Sequence, residues 1–182
     1  GADGDPLLDY VDATLANSSD EPQRALVLFT RARDGAIAGG RGELLGQIRA
    51  SRGRLLSTLG ERAEAYREMD LARRDFESAG DFESLARVLN DLAIEHLIRG
   101  ELAQGQHLLE RSIEAARRGG ASPTLMLHNL GQLATFRGEP TGAVSSFAIA
   151  PVTGDLALID QQPSGGADPC HVAVDRTGRH LL

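Results

Sequence analysis

The residues best able to do chemistry are dispersed along the chain instead of being grouped in one motif. The sequence has five histidines and one cysteine, and Cys170 and His171 stand side by side. Neighbouring residues of a strand point to opposite faces, so these two side chains are not expected to share a proton. Together with His180 they also lack the paired spacing of a metal site. We therefore predict no catalytic residue, no cofactor and no metal site.

Two further patterns are weak candidates for phosphate binding or catalysis. The glycine-rich segment 39–42 lacks the preceding strand and the following Lys-Ser/Thr pair of a P-loop, so we interpret it as a turn. Four aspartates fall at turn positions, where aspartate is common for conformational reasons: Asp155, Asp160, Asp168 and Asp175. The sequence contains neither G-x-S-x-G nor H-E-x-x-H. These patterns favour a protein that is not an enzyme.

Residues 82–120 form the element around which the rest of the chain is organised. The first half carries apolar residues at spacings of three and four, which predicts an amphipathic helix. These residues are Leu85, Val88, Leu89, Leu92, Ala93 and Leu97. Asp81 can cap this helix, Gly100 can end it, and His96 is interpreted as a core histidine. A second amphipathic helix follows after a short link, so the two helices are expected to be antiparallel.

The helix pair recurs with a period of about 40 residues. Three columns of the second helix keep their size across the copies, being small, large and small. The columns are Ala25, Ala65, Gly105 and Ala143, then Phe29, Met69, Leu109 and Phe147, then Ala32, Ala72, Ser112 and Ala150. Small residues let helices approach closely, and the large residue fills the remaining space. The predicted fold class is all-α, an α-solenoid of about four antiparallel helix pairs with a short C-terminal β or irregular tail.

The pattern over residues 6–150 resembles the tetratricopeptide repeat (TPR) family. The first helices add a small column at Gly53, Ala93 and Gly131. The usual TPR unit has 34 residues, and the longer unit resembles TPRs of bacterial signal-transduction regulators. The second unit departs from the family, because Arg49 and Arg52 occupy positions that are usually apolar.

The resemblance implies a protein-interaction scaffold that binds a partner protein or peptide in a concave groove lined by the first helices. By repeat position the facing residues would be Gln47, Arg54, Arg87, Asn90, His128 and Gln132. Among them Arg87, Asn90 and His128 could hold a carboxylate or an acidic peptide. The alternative is that these residues form an ordinary solvated helix face.

Composition limits the classes of partner and compartment. The net charge is −7 and the 19 basic residues are all arginine, which argues against a nucleic-acid partner. The single cysteine excludes an intramolecular disulfide and is consistent with a reducing compartment. No apolar run approaches the roughly 18 residues of a membrane span. We expect a cytoplasmic protein that binds neither nucleic acid nor a membrane.

The C-terminal region has a different character, with turn pairs at Thr153-Gly154 and Thr177-Gly178 between short alternating segments. It resembles the 6-phosphogluconolactonase-like lactonases, which are seven-bladed β-propellers. The matching residues are Val144, Phe147, Ile149, Thr153, Gly154, Leu156, Gln162, Ser164, Gly165, Gly166, Pro169, Cys170, His171, Val174, Asp175, Gly178, Arg179, Leu181 and Leu182. They cover about one blade boundary, whereas a propeller needs several blades. The resemblance therefore transfers no catalytic residue.

The two resemblances overlap at residues 143–150. The same letters fit an eighth helix and also a strand with β-branched and aromatic residues. We expect the helix to form to about Ala150, because three repeat columns outweigh local propensity. The predicted domains are residues 1–150 and 151–182, which suggests a chimera whose C-terminal strands could mediate self-association. The alternatives to a scaffold are a fragment of a lactonase-type hydrolase and a chimeric repeat without a selected activity.

Overall fold

The computed structural model describes residues 4–136, 143–149 and 156–163. These ranges contain seven helices and two strands. The helices are α1 (Pro6–Ser18), α2 (Pro22–Ala38), α3 (Gly42–Thr58), α4 (Arg62–Ala79), α5 (Phe82–Ile98), α6 (Leu102–Arg118) and α7 (Thr124–Phe136). The strands are β1 (Ala143–Ile149) and β2 (Leu156–Pro163). The predicted fold class, a helical solenoid with a short β tail, is confirmed.

The chain divides into two compact units, Gly1–Leu127 and His128–Leu182. In the first unit, α1 packs on α2, α3 on α4, and α5 on α6. Successive pairs join through the contacts of α2 with α3 and of α4 with α5. Each helix thus packs on its neighbours in the chain, which is the stacking expected of a solenoid.

A turn at every twentieth residue sets the repeat length. Asp20, Gly40, Gly60, Gly80, Gly100 and Gly120 all have positive φ. The next residue donates its N–H to a carbonyl five residues earlier, as Glu61 does to Leu56 at 2.9 Å and Glu101 to His96 at 3.0 Å. This is the Schellman ending, in which glycine adopts the left-handed conformation without a steric penalty. One helix and its turn therefore take 20 residues, and a pair takes 40.

The small, large and small columns form the core of the three complete pairs. Phe29, Met69 and Leu109 are almost fully buried, and the small residues on either side of them are buried as well. Gly53 shows why a small residue is needed in α3, because a Cβ there would lie 2.7 Å from Met69 Cγ and 3.2 Å from the Ala65 carbonyl oxygen. The packing role predicted for these columns is confirmed in α2, α4 and α6.

The arginines at usually apolar positions pair with carboxylates of α4, of which Glu68 is buried. Arg52 donates to Glu68 Oε1 at 2.9 Å, to Glu64 Oε1 at 2.6 Å and to Thr30 Oγ1 at 3.2 Å. Arg33 of α2 donates to the same Glu68 oxygen at 2.9 Å. This Arg52 network links three helices, because its residues come from α2, α3 and α4. Buried charges persist when paired and hydrogen-bonded in this way.

Neighbouring pairs use different chemistry at the equivalent place. Asp9 of α1 is buried and accepts from Arg31 Nε at 2.8 Å. Forty residues later Arg49 donates to Asp75 Oδ2 at 2.7 Å. In the third pair the position holds Leu89, which is buried. This position therefore holds an acidic residue in the first pair, a basic residue in the second and an apolar residue in the third.

The eighth helix predicted for residues 139–150 is wrong, because residues 143–149 form strand β1. β1 pairs with β2 in an antiparallel sheet, with Ala143 opposite Pro163 and Ile149 opposite Leu156. The register shifts between Ser146 and Phe147. Two serines and the β-branched and aromatic residues disfavour a helix, whereas β2 supplies a hydrogen-bonded ladder. The fourth pair thus keeps only its first helix among the described residues.

Candidate interaction surface

The first helices of the pairs, α1, α3 and α5, lie side by side in the first unit. α1 contacts α3, and α3 contacts α5, whereas the second helices of successive pairs approach each other less closely. Side-chain hydrogen bonds join the first helices. Tyr10 Oη of α1 lies 3.3 Å from Ser51 Oγ of α3, and Ser57 of α3 pairs with Glu95 of α5. The first helices of successive pairs therefore lie next to one another, and the exposed residues of α1, α3 and α5 form one surface.

We call this surface the first-helix face and define it by residues at spacings of three and four. It comprises Leu7, Val11, Thr14 and Ser18 of α1, Glu43, Gln47, Ser51, Arg54 and Thr58 of α3, and Glu83, Arg87, Asp91, Ile94 and Ile98 of α5. Most of these side chains are exposed, and the remainder are half-buried. The surface is continuous over three helices, because each helix repeats the same spacing.

Two of the predicted groove residues, Gln47 and Arg54, link α3 to α5. Gln47 Nε2 donates to Ser84 Oγ at 3.0 Å. Arg54 donates to Asp91 Oδ2 at 3.2 Å and to Ser51 Oγ at 3.1 Å. Both side chains therefore lie on the first-helix face and also stabilise the contact between neighbouring pairs.

The other two residues predicted on α5 differ sharply in exposure. Arg87 is exposed and pairs with Glu83 one turn earlier. Asn90 is buried and lies outside the first-helix face, so its side chain is not available to a ligand at the surface. The sequence analysis placed Asn90 on the groove by repeat position, whereas in the structure this position of α5 faces the core.

His128 and Gln132 belong to the second unit, where both are exposed on α7. Gln47, Arg54 and Arg87 lie together on the face of the first unit. The six predicted residues are therefore divided between the two units.

Sequence reasoning missed the most unusual group of this surface, Asp91. Burial raises the pKa of the Asp91 carboxyl above its ordinary value, while Arg54 and Asn90 oppose the shift. The signal was present in the helix spacing, since Asp91 lies four residues after Arg87. It was missed because its partner Arg54 is 37 residues away in the sequence.

The first-helix face is apolar at both ends. Leu7 and Val11 are exposed on α1, and Ile94 and Ile98 are exposed on α5. Arg54 of α3 and Arg87 of α5 supply positive charge to the face, which also carries the acids Glu43, Glu83 and Asp91. Such a surface can take a chain that offers apolar side chains and accepts hydrogen bonds from guanidinium groups.

His96 is half-buried at the end of α5. It stacks edge-on against Tyr66, with ring centroids 5.5 Å apart, and pairs with Glu101. Within residues 4–136, 143–149 and 156–163, no group of three or more histidine, cysteine, aspartate or glutamate side chains could hold a metal ion. Cys170, His171 and His180 lie outside the described residues. No described helix is long and apolar enough to cross a membrane.

The fold is similar to that of a protein of known structure. The crystal structure of BtubC (BKLC) from P. vanneervenii aligns with a TM-score of 0.67 at 16% sequence identity. The alignment covers 74% of this chain and 57% of that protein, so the chain spans little more than half of that protein's length. At this identity the likeness establishes the fold alone. A search of curated protein sequences found no match.

The sequence also matches a family model described as lactonase, 7-bladed beta-propeller, over residues 101–182. The match covers less than half of the chain. It includes α6 and α7, which are helices, although propeller blades are built from four-stranded sheets. The described strands within the match are β1 and β2. The resemblance of the C-terminal region to lactonases is therefore supported as a sequence likeness, and the structure of its first part is helical.

Proposed function

We propose that the chain is a TPR-like interaction scaffold whose first-helix face binds a peptide or a segment of a partner protein. The observation that carries the proposal is the continuity of this face over α1, α3 and α5. The residues of this face are mostly exposed, whereas the residues on the opposite side of the same helices are buried in the core. A surface of this length suits an extended or helical segment of about ten residues better than a small molecule.

The chemistry of the face indicates what the partner segment would carry. The arginines Arg54 and Arg87 already pair with Asp91 and Glu83, so an incoming carboxylate must compete with these local acids. The Arg87–Glu83 pair is exposed and contributes little to stability, so an incoming carboxylate can replace Glu83 at little cost, whereas the half-buried Asp91 is expected to keep Arg54. The partner would then gain most from apolar side chains placed against Ile94 and Ile98. We therefore propose an apolar segment flanked by acidic residues.

The test is a selection of peptides from a random displayed library against the full chain. The Kd of a selected peptide should rise when Arg87 is replaced by alanine and when Ile94 is replaced by serine. Hydrogen exchange should then map protection by the peptide to α3 and α5. Protection confined to α2, α4 and α6 would exclude the first-helix face as the binding site.

This proposal includes a role in bacterial signalling, a cytoplasmic location and no enzymatic activity. A protein partner, with no nucleic acid and no membrane, agrees with the net charge of −7 and the arginine pairs of the face. One alternative is a chimeric repeat without a selected activity. It would yield no peptide whose affinity depends on the first-helix face.

A second candidate is a lactonase-related hydrolase fragment, which the family match over residues 101–182 favours. Catalysis in a propeller needs residues from several blades, and the described β structure amounts to two strands. Lactone turnover by the purified chain, lost on removal of residues 151–182, would support this candidate. The scaffold proposal predicts no turnover above the uncatalysed rate.

A further inference from the structure

The first helix exposes a surface that its counterparts bury. Leu8 of α1 corresponds, at 40-residue spacing, to Ile48 of α3 and Val88 of α5. Ile48 is 0% exposed and Val88 is 1% exposed, whereas Leu8 is 64% exposed. Likewise Leu55 is buried, whereas Leu15 is 60% exposed. Asp12 lies between these leucines at spacings of three and four and is also exposed. We call Leu8, Asp12 and Leu15 the α1 end face.

The equivalent residues of α3 identify what such a face packs against. Ile48 belongs to one buried cluster with Ala32 and Ala36 of α2. Leu55 belongs to another cluster that includes Ala25 and Phe29 of α2. The α1 end face therefore continues the series of interfaces in which a first helix receives the second helix of the preceding pair.

The negative charge of Asp12 at the centre of the face indicates which side chain the partner should carry there. Arg52 occupies the place of Asp12 in α3, and its Nε donates to Thr30 Oγ1 of α2 at 3.2 Å. Asp12 carries the opposite charge, so it would favour a basic or donor side chain at the place of Thr30. The hydrogen bonds with Glu21 and Asp9 are the main causes that raise the pKa of Arg24 and of Arg31 on α2, and the Asp12 charge adds to both.

We propose that the α1 end face binds an amphipathic helix that imitates α2. The partner helix would present a small residue, a large apolar residue four positions later and a small residue three positions after that. A basic side chain directly after the large residue would meet Asp12. A second copy of this chain fits less well, because two α1 end faces would bring two Asp12 carboxylates together.

The experiment uses the full chain and a synthetic peptide with the sequence of residues 20–40. A lactam bridge across positions 27 and 31 holds the peptide helical, because helices of this length are marginal alone. Fluorescence anisotropy measures its Kd. Saturable binding is expected, and the double variant Leu8→Glu with Leu15→Glu should raise the Kd at least about tenfold. Val27→Glu in the protein is the matched control, since Val27 is equally exposed on α2, and it should leave the Kd within about twofold.

A charge exchange tests the partner chemistry independently of the leucines. The peptide variant Thr30→Arg should bind the wild-type chain more tightly than Thr30→Glu does, and Asp12→Arg in the protein should reverse this order. Arg87→Ala should not change the Kd of either peptide. The test of the α1 end face is therefore independent of the proposal that the first-helix face binds a partner.

Several results would overturn the proposal. Absence of saturable binding or an unchanged Kd in the Leu8→Glu, Leu15→Glu variant would do so. Sedimentation that finds a dimer abolished by this variant would assign the face to a second copy. Peptide binding that requires removal of residues 137–182 would assign it to the chain's own C-terminal segment.

Discussion

The guanidinium of Arg52 in α3 donates to Glu68 Oε1 in α4 at 2.9 Å, and both side chains are buried. Arg33 still donates to Glu68 when Arg52 is removed, so the buried carboxylate loses part of its compensation, and the expected cost lies at the low end for a broken buried ion pair. We predict that Arg52→Met lowers the free energy of unfolding by about 3 kcal/mol in urea denaturation.

Arg24→Met is the control for this prediction, because Arg24 pairs with Glu21 on the exposed start of α2. It should change stability by less than about 0.5 kcal/mol. Equal losses in the two variants would mean that the buried network contributes no more than a surface pair.

Gly53 lies against Met69, where an added Cβ would approach Met69 Cγ at 2.7 Å. Gly53→Ala should therefore lower the free energy of unfolding by about 1–3 kcal/mol through overpacking. Gly42→Ala is the control, since no atom lies within 4 Å of a Cβ placed at Gly42 at the start of α3. A neutral Gly53→Ala variant would show that the α3–α4 contact adjusts without cost.

The left-handed residues that end the helices predict opposite effects on stability for two substitutions. Gly100 has a φ of 76° and ends α5, so Gly100→Ala should cost about 1 kcal/mol of stability. Asp20 occupies the same place after α1 with a φ of 59°, so Asp20→Gly should raise the thermal midpoint. Calorimetry of both variants checks the signs, and a stabilised Gly100→Ala variant would contradict the assigned endings.

Much of the fold could be predicted from the sequence, because glycine spacing and the size columns are local signals. Phe29, Met69 and Leu109 were found in this way. The partners of Arg49 and Arg52 were not, since Asp75 and Glu68 lie on another helix and no local pattern connects them.

The strand β1 was mispredicted for a related reason. Ala143 and Phe147 fit the repeat columns. Those columns favour a helix only when a neighbouring helix packs against them. Pairing with β2 decided the structure instead, and that partner lies beyond the columns in the sequence. The surface was predicted in part, with Arg54 and Arg87 on the first-helix face and Asn90 in the core.

The pKa values of two carboxyls predict opposite dependence of stability on pH. The hydrogen bond from Arg31 lowers the pKa of Asp9, whereas burial raises that of Asp91. The Asp9 contribution is present above the unfolded pKa of about 3.9 and is lost as pH falls through the folded pKa. For Asp91 the folded state holds the proton longer, so stability falls as pH rises from about 3.9 through its folded pKa.

The measurement is urea unfolding of Asp9→Asn and Asp91→Asn between about pH 3 and pH 7, a range that brackets the unfolded carboxyl pKa. With rising pH, Asp9→Asn should lose stability relative to the wild type, and Asp91→Asn should gain it. Difference curves of the same sign would contradict the assigned environments.

The most direct test of the scaffold proposal compares two exposed arginines with the same local pairing. Arg87 pairs with Glu83 on the first-helix face, and Arg74 pairs with Asp70 on α4; their side chains are 59% and 65% exposed. Calorimetric titration of a library-selected peptide should give a Kd about tenfold higher for Arg87→Ala, and a change below about twofold for Arg74→Ala. Equal effects of the two substitutions, or no effect of Arg87→Ala, would contradict binding on the first-helix face.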